Sequence, residues 1–240
     1  MTAYQDVFQR YEKKYLVTQQ QFNQLARVFS PRMVPDRFAQ STISNIYYDT
    51  PDFRLIRYSL DRPPYKEKLR LRSYGVPNAQ SQVFLELKKK YRGVVYKRRA
   101  ALAPDEAQAI LSGAKRADGT QILREIAWAL QFYQPEPKVY LAYDRIALYA
   151  PGEPGLRATF DTDLRWRGRA LELEKGDWGA PLCGDGYVLM ELKLPGVMPL
   201  WLARLLDSLA VYPVSFSKYG FCYRRYLSRE AVWKGGLGCA

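Results

Sequence analysis

The chain has 240 residues, of which 37 are Lys or Arg and 24 are Asp or Glu, so its formal net charge is +13. This length suffices for one large domain over residues 1–240, for which we expect a flexible tail at about 230–240. The excess of cations favours a polyanionic partner such as nucleic acid, an anionic membrane or phosphate compounds. The sequence has no histidine, which excludes the usual catalytic triads and zinc sites built on imidazole.

The cysteines and the apolar runs bear on location. Cys183, Cys222 and Cys239 form no C-x-x-C pair, and their odd number argues against a secreted disulfide framework. The N-terminus lacks the apolar core of a signal peptide, and no apolar run approaches the roughly 18 residues needed to span a bilayer. We therefore expect a soluble, cytoplasmic protein without a transmembrane segment.

Short runs of alternating hydrophobicity, separated by Pro, Gly, Asp and Asn, predict an antiparallel β architecture. Eight runs are found, at residues 10–17, 42–49, 66–74, 82–90, 94–102, 138–148, 156–166 and 187–194. Eight strands suit a closed barrel, because closure removes both exposed edges and leaves an interior that can hold one small ligand. The Gly-rich and charged region 167–186 is either a ninth short strand pair or an irregular loop.

Five helices are predicted beside these strands. Residues 19–29 have apolar side chains at helical spacing, and Pro104 with the acids after it begins a short helix. Residues 121–133 and 199–210 are amphipathic, and Ser217 is the candidate N-cap of a last helix that runs to about Arg229. The predicted fold class is α+β, mainly antiparallel β: an eight-stranded closed tunnel barrel with a charged lumen and helices packed outside.

The charged lumen follows from the alternation of side chains along each strand. Residues 83–91 (VFLELKKKY) place Glu86 and Lys88 on one face and Leu85 and Leu87 on the other. The same period groups Lys66, Lys68, Arg70 and Arg72, then Lys97 and Arg99, then Tyr143 and Arg145. In a closed barrel wrapped by helices, the apolar faces must point outward and the charged faces inward. For any single strand, a solvated outer face remains an alternative.

A lumen crowded with cations is costly unless an anion occupies it, because two like charges 4 Å apart repel by roughly 4 kcal/mol at an effective dielectric near 20. Arginine forks match phosphate oxygens, and lysines supply movable charges along a chain of phosphates. The carboxylates of Glu12, Glu86 and Glu191 repel phosphate themselves. They either hold a divalent cation that bridges phosphate oxygens or orient neighbouring lysines.

An ordered set of motifs extends from about Tyr11 to Tyr226: RYEKKY, IYYDTPDF, KLRLRSYG, FLELKKK, VYKRRAAL, YDRIAL, ATFDTDLRWR, VLMELKLPG and SFSKYGF. The set resembles the VTC (vacuolar transporter chaperone) polyphosphate polymerase domain, a branch of the triphosphate tunnel metalloenzymes that also include the CYTH proteins. No single motif is specific, but the order is. The resemblance implies an eight-stranded antiparallel tunnel that binds the phosphates of a nucleoside triphosphate together with Mn²⁺ or Mg²⁺.

The resemblance also implies the site residues. The catalytic positions are Arg70, Arg72, Lys88, Arg145 and Glu191, and Glu191 is also the metal ligand. The substrate-binding positions are Lys14, Lys97, Arg99, Tyr143, Lys193, Ser217 and Lys218. Two of these come from the strand pattern and not from the resemblance: Arg99 shares a face with Lys97, and Lys193 repeats, after Glu191, the Glu-x-Lys spacing of Glu86 and Lys88. Glu12 and Glu86 match acidic positions beside the site. Asp161 shares a face with Arg157, and both a metal contact and an internal ion pair remain open for it.

Two positions depart from the patterns of these families. Arg10 stands where CYTH proteins carry the first acid of an E-x-E-x-K motif, which fits the VTC branch and weakens a thiamine triphosphatase or cyclase interpretation. Ser215 stands where the VTC branch has the first lysine of K-x-S-K, ahead of Ser217 and Lys218. How tightly a long product is held therefore stays open.

The predicted function is transfer of the γ-phosphate of ATP to a growing polyphosphate chain. Phosphoryl transfer requires mainly positioning and charge neutralisation, and a terminal phosphate is already an anion at neutral pH, so no histidine base is needed. We expect ATP and inorganic polyphosphate as partners and no nucleic acid. Two alternatives remain: a triphosphatase of the same fold, and a non-catalytic binder of polyphosphate or nucleic acid, which the 19 tyrosines do not exclude.

Overall fold

The computed structural model describes residues 11–184 and 186–228. Arg10, Arg229 and the predicted tail at 230–240 lie outside these residues. The chain groups into two compact units. Among the described residues, unit 1 comprises 11–41, 143–164, 183–184 and 186–216, and unit 2 comprises 42–142, 165–182 and 217–228. The single domain expected over 1–240 stays a prediction.

Nine strands and six α-helices lie in the described part of the chain. The strands are β1 (Tyr11–Thr18), β2 (Val34–Asp49), β3 (Tyr65–Tyr74), β4 (Val83–Tyr91), β5 (Val94–Leu102), β6 (Glu136–Tyr149), β7 (Arg157–Arg167), β8 (Ala180–Pro181) and β9 (Tyr187–Leu194). The helices are α1 (Gln19–Phe29), α2 (Arg54–Leu60), α3 (Pro104–Leu111), α4 (Gln121–Tyr133), α5 (Leu200–Ser208) and α6 (Lys218–Cys222). None of these helices has the length and apolar character needed to cross a membrane.

The strand order is β1-β9-β7-β6-β2-β3-β4-β5, and β8 pairs with β7. The order confirms an α+β fold dominated by an antiparallel sheet. It differs from the predicted closed eight-stranded barrel, because over the described residues the order ends at β1 and at β5 and includes a ninth strand.

The ninth strand comes from the region that the sequence left open. Ala180 pairs with Trp166, and a Cβ on Gly179 would lie only 2.7 Å from the Trp166 carbonyl oxygen, so glycine permits this close approach. The same region also contains a short 3₁₀ turn at Leu173–Lys175. It therefore combines a two-residue strand with irregular loop.

The core of unit 1 lies between one face of its strands and two helices. Tyr15 of β1, Phe160 of β7 and Met190 of β9 are buried against Phe29 of α1 and Leu202 of α5. A capping box stabilises the N-terminus of α1. Thr18 Oγ1 accepts a hydrogen bond from the backbone N–H of Gln21 at 3.2 Å, and Gln21 Oε1 accepts one from the backbone N–H of Thr18 at 2.9 Å. The helix predicted at 19–29 is confirmed.

The core of unit 2 repeats this arrangement on different elements. The aliphatic faces of β3 and β4, with Leu69, Leu85 and Leu87, pack against Ile110 of α3 and Ile126 of α4. In this unit, therefore, the apolar strand face contacts the helices, as the alternation predicted. Most cations of the same strands lie on the opposite face, but Lys89 lies on the helix side and donates to Glu125 of α4 at 3.1 Å.

Three elements differ from their prediction. β2 begins at Val34 instead of residue 42, and α6 ends at Cys222, where a π-helical segment continues it to Leu227. The helix α2 was not predicted, because its seven residues have no polar N-cap. Its N-terminus is held instead by Asp49, whose carboxylate accepts from the backbone N–H groups of Leu55 at 2.8 Å and Ile56 at 2.9 Å.

Candidate functional site

The charged face of unit 2 is built by the register of β2, β3, β4 and β5. Residues directly opposite in an antiparallel ladder have Cβ atoms about 4.5–5.5 Å apart, so each row of paired residues forms a cluster. One row consists of Tyr47, Arg70, Glu86 and Arg99, and the next consists of Lys68, Lys88 and Lys97. Four predicted site residues, Arg70, Lys88, Lys97 and Arg99, are thus brought into two adjacent rows.

Glu86 is the buried centre of these rows, with a side chain only 1% exposed. Its Oε2 is 2.6 Å from Arg70 Nη2, and its Oε1 is 2.5 Å from Arg99 Nη2 and 2.9 Å from Lys97 Nζ. Burial alone would raise the pKa of Glu86, but Arg70, Arg72 and Lys97 hold it well below its usual range. Of the two roles left open for this carboxylate, the contacts support orientation of neighbouring cations.

Arg72 occupies a third row, across from Asn45 and Phe84. Its Nε donates to Asn45 Oδ1 at 2.8 Å, and Asn45 Nδ2 in turn donates to the Leu141 carbonyl oxygen at 3.0 Å. Arg72 is buried, so the asparagine fixes its guanidinium on the charged face. Asn45 was not predicted as a site residue, although it lies on the same face of β2 as Tyr47.

Tyr47 is a second residue that the sequence did not single out. Its hydroxyl accepts from Arg70 Nη1 at 3.1 Å, and its ring stacks on Tyr219 with centroids 4.8 Å apart. Burial raises the pKa of the hydroxyl, but Arg70, Lys68 and Arg72 outweigh it and lower the pKa of Tyr47 to about 8. The tyrosine therefore reports the strong positive potential of this face.

The lysine row meets the start of α6. Lys68 Nζ donates to Ser217 Oγ at 2.8 Å, and Ser217 also accepts from the backbone N–H of Gly220 at 3.2 Å, which confirms it as the N-cap. Lys218 is the first residue of α6. Lys68 was not predicted as a site residue. Its position on the same strand face as Arg70 and Arg72 could have identified it.

The charge of Lys97 depends on opposing influences. Burial lowers the pKa of its ammonium group, Glu86 raises it, and the cations Arg99 and Arg72 lower it again. The result is a pKa of about 8 for Lys97. This lysine is therefore charged at neutral pH and loses its proton in mildly alkaline solution.

The charged face of unit 1 centres on Glu191, which is buried on β9. Lys14 lies directly across from it on β1, with Nζ 3.2 Å from Glu191 Oε1 and 3.3 Å from Glu12 Oε1. Arg145 Nη2 is 3.5 Å from Glu191 Oε2. Lys193 is paired with Glu12 in the ladder between β1 and β9. The acid is therefore flanked by two cations that the sequence assigned to phosphate binding.

Asp161 forms an internal ion pair, one of the two roles that the sequence left open for it. It is fully buried, and both of its oxygens accept from Arg145, whose guanidinium also lies 5.2 Å from the centroid of the Tyr143 ring. Burial lowers the pKa of Arg145, but Tyr143, Asp161 and Glu191 raise it above its ordinary value. Arg145 is therefore a permanently charged and oriented group.

The predicted site residues thus fall into two groups. Unit 2 contains Arg70, Arg72, Lys88, Lys97, Arg99, Ser217 and Lys218, and unit 1 contains Lys14, Tyr143, Arg145, Glu191 and Lys193. Within unit 2 the strand register collects the basic positions on one face, and within unit 1 Lys14 and Arg145 meet at Glu191. The catalytic and binding roles of these residues stay predictions.

The side chains near Glu191 determine whether a divalent cation could bind there. Within residues 11–184 and 186–228, no group of three or more Cys, Asp or Glu side chains could hold a metal ion. A single carboxylate nevertheless suits Mg²⁺, which keeps several waters and takes further ligands from substrate phosphates. Thr159, across from Glu191, also has a buried hydroxyl with no hydrogen-bond partner in the described chain. The residues fit a cation that arrives with phosphate, not one caged by protein alone.

Comparison with known proteins places these features in context. The sequence profile of the VTC domain matches residues 9–226. No curated protein matches the sequence.

Several solved structures share the fold. A proposed adenylate cyclase from Bacillus halodurans has a TM-score of 0.55 at 16% identity, over 90% of this chain and 96% of its own. A proposed adenylyl cyclase from Hippeastrum, described as having a dominant triphosphatase activity, has a TM-score of 0.51 at 15% identity, over 94% of this chain and 95% of its own. A proposed adenylate cyclase from Vibrio parahaemolyticus has a TM-score of 0.50 at 15% identity, over 93% and 99%. At these identities the likeness shows the fold alone.

Proposed function

The chain belongs to the VTC domain family, and on that premise we propose that it is a metal-dependent polyphosphate polymerase that transfers the γ-phosphate of ATP to a growing polyphosphate chain. The observation that carries the proposal is the regular array of cations in unit 2. Same-face residues recur about every 6.6 Å along a strand, and neighbouring strands lie about 4.8 Å apart. Such an array suits a ligand whose negative charges also recur at short, regular intervals.

Each group of residues has a proposed task. Arg70, Arg72 and Arg99 bind phosphate oxygens through their guanidinium forks, while Lys88 and Lys97 supply point charges that follow the phosphate chain. Ser217 and Lys218 contribute further contacts in unit 2. In unit 1, Lys14, Arg145, Tyr143 and Lys193 are the proposed substrate contacts. Glu86 stays ionised among the cations of unit 2 and holds them in place in the absence of substrate.

The reaction needs no imidazole. A terminal oxygen of polyphosphate forms a bond to the γ-phosphorus of ATP, the bond from that phosphorus to its bridging oxygen breaks, and ADP leaves. The attacking phosphate is already an anion, so no base has to remove a proton from it. When bound at Glu191, Mg²⁺ or Mn²⁺ would supply neutralisation of the charge on the leaving diphosphate. In unit 2, Arg70 and Arg72 are the groups that would stabilise the charge on the equatorial oxygens.

A triphosphatase is the second candidate. Its support is the fold shared with the Hippeastrum protein described as a triphosphatase, together with Ser215 at a position where the family pattern has a lysine. In this case water replaces the acceptor phosphate. A non-catalytic binder of polyphosphate or nucleic acid is the third alternative, since cations alone bind a polyanion without turnover.

One experiment separates these functions. The protein is incubated with ATP and Mn²⁺, polyphosphate is resolved on a stained gel, and free phosphate and ADP are assayed in parallel. A polymerase yields polyphosphate and ADP with little free phosphate, and a triphosphatase yields free phosphate without polyphosphate. A binder yields neither product but retains added polyphosphate in a filter assay. Free phosphate as the main product would refute the polymerase.

The role of Glu191 is tested with the Glu191→Gln variant. We expect it to lose most turnover and to keep its fold, because glutamine preserves the shape but not the charge that a divalent cation requires. The matched control is Glu172→Gln, at an exposed position whose carboxylate lies 3.7 Å from Lys175 Nζ. Turnover by Glu191→Gln equal to that of the control would contradict the metal role.

We further propose that the protein acts in the cytoplasm on ATP and inorganic polyphosphate, without nucleic acid. The buried thiol of Cys222 is in no disulfide, which accords with a reducing compartment. Fractionation of the producing cells followed by immunoblotting tests the location.

A further inference from the structure

Thr159 lies on the charged face of unit 1, directly across the ladder between β7 and β9 from Glu191. Its Oγ1 is buried and has no hydrogen-bond partner within the described chain. Opposed residues in an antiparallel ladder have Cβ atoms about 4.5–5.5 Å apart. The hydroxyl and the carboxylate therefore border the same space.

The other polar groups around this hydroxyl have partners. Glu191 contacts Lys14 and Arg145, and Asp161 holds Arg145 through two hydrogen bonds. Thr159 is thus an unpaired hydroxyl within a set of paired charges. Since buried polar atoms in native proteins are nearly always bonded, the hydroxyl indicates a partner that residues 11–184 and 186–228 do not supply.

Strand formation alone does not explain the hydroxyl. Valine has the same branched shape and a similar preference for strands, and it buries no polar atom. If this threonine only filled space, its desolvated hydroxyl oxygen would lower the stability of the protein and no hydrogen bond would compensate for it. The oxygen is therefore the informative part of the side chain.

We infer that Thr159 is a positioning residue for the divalent cation of the proposed function. Its hydroxyl hydrogen-bonds an oxygen ligand of the cation at Glu191, either a coordinated water or a phosphate oxygen. Mg²⁺ and Mn²⁺ bound by one carboxylate keep several such ligands, and groups that hydrogen-bond them orient the whole complex. Thr159 contributes to the site by fixing this oxygen and forms no bond to the metal.

This inference rests on the metal role proposed for Glu191, and its test uses binding instead of turnover. Free Mn²⁺ is measured by electron paramagnetic resonance during titration of the wild type, Thr159→Val and Thr159→Ser, with Mn²⁺ alone and with Mn²⁺ plus tripolyphosphate. We expect Thr159→Val to weaken Mn²⁺ binding about tenfold, as loss of an outer hydrogen bond does elsewhere. Thr159→Ser keeps the hydroxyl and should bind like the wild type.

The two titrations identify the oxygen. Weaker binding of Mn²⁺ alone indicates a coordinated water, whereas weakening seen only with tripolyphosphate indicates a phosphate oxygen. Either result supports the inference. Wild-type affinity of Thr159→Val in both titrations would overturn it, and so would an equal loss in Thr159→Ser.

Thermal unfolding without metal distinguishes positioning from a structural role. Removal of an unpaired buried hydroxyl does not destabilise a protein, so Thr159→Val should unfold at or above the wild-type temperature while it binds Mn²⁺ more weakly. A lower unfolding temperature would show that the hydroxyl is already satisfied inside the protein and would overturn the inference.

Glu191→Gln, measured in the same titration, separates this inference from the proposed function. Loss of Mn²⁺ binding in Glu191→Gln with normal binding in Thr159→Val would overturn the role of Thr159 and leave that of Glu191 standing. Normal binding in both variants would overturn both roles. The choice between polymerase and triphosphatase is decided separately, by the products formed from ATP.

Discussion

Arg145 and Asp161 form a two-point ion pair in which Nε donates to Oδ1 at 2.6 Å and Nη2 donates to Oδ2 at 2.8 Å. The aspartate is fully buried, so water cannot replace either hydrogen bond. The same guanidinium approaches Glu191 at 3.5 Å. The pair therefore fixes the plane of an arginine beside the candidate metal ligand.

Asp161→Asn should destabilise the protein by about 3 kcal/mol, because removal of one partner leaves a buried charge uncompensated. The free energy of unfolding is measured by urea denaturation. The control is Asp207→Asn at an exposed position of α5, which should stay within about 0.5 kcal/mol of the wild type. Equal stability of the two variants would show that the pair contributes nothing.

Glu86→Gln should also lower the free energy of unfolding by about 3 kcal/mol, since three cations then face each other without their buried carboxylate. Tripolyphosphate should restore part of this loss, because its oxygens replace the missing charge. Melting temperatures with and without the anion provide the measurement. A variant insensitive to the anion would contradict phosphate binding at this face.

The lowered pKa of Glu86 also predicts the direction of a pH effect. The folded-state pKa lies below the unfolded one, so the carboxylate contributes stability that is fully present above its ordinary pKa of 4.5 and is lost as the pH falls below that value. Glu86→Gln should lack this component. Denaturation curves between pH 3 and 6 should therefore converge for the two proteins toward the acid end.

Polyphosphate binding should weaken as the pH rises from about 7 to 9. Lys97, with a pKa of about 8, loses its positive charge over this range, and Tyr47, also at about 8, gains a negative one. Both changes reduce attraction for a polyanion. Binding of long-chain polyphosphate is measured by calorimetry, because its internal phosphates do not titrate there. A Lys97→Arg, Tyr47→Phe double variant should show a flatter profile, and an identical slope would refute this assignment.

Lys68→Met should weaken binding of polyphosphates of all lengths and reduce the dependence of affinity on salt by about one counterion, because one cation of the lysine row is removed. Lys115→Met, an exposed lysine outside the strands, is the control. Ser217→Ala should weaken binding less, since it removes a hydroxyl, with its hydrogen bond to Lys68 and the cap of α6, but no positive charge. An unchanged salt dependence in Lys68→Met would exclude Lys68 from the site.

The alternation of side chains allowed much of each charged face to be predicted from the sequence. Because successive strand residues point to opposite sides, Arg70 must share a face with Arg72, and Leu69 must oppose them, whatever the tertiary structure. Helix α1 was equally accessible, since its capping box and its apolar spacing lie within a few residues.

Partners distant along the chain were not accessible in this way. Lys68 meets Ser217 across 149 residues, and Tyr133 donates to the buried carboxylate of Glu67 across 66. Alternation places Glu67 on the same face of β3 as Leu69 and Leu71, but it does not identify the hydroxyl that donates to this acid. Such contacts depend on which strands and helices become neighbours, and a single sequence does not contain that information.

Strand closure was beyond prediction for the same reason. Eight alternating runs are compatible with a closed barrel, but strand number does not specify which edges pair. A local irregularity also interrupts β7, where Asp163 has a φ of +45°. Neither β-propensity nor the period of two indicates that this residue leaves the extended conformation.

Strands β3, β4 and β5 have an apolar face on one side and a charged face on the other, and this limits where the gene can gain or lose codons. Insertion or deletion of one codon within β4 would turn Lys88 toward Ile126 and Leu87 toward the arginines, so one lesion would damage folding and ligand binding together. The turn at Arg92 and Gly93, both with positive φ, is where extra codons should be tolerated. Natural length variation in this part of the family should therefore concentrate at the hairpin and avoid the strands beside it.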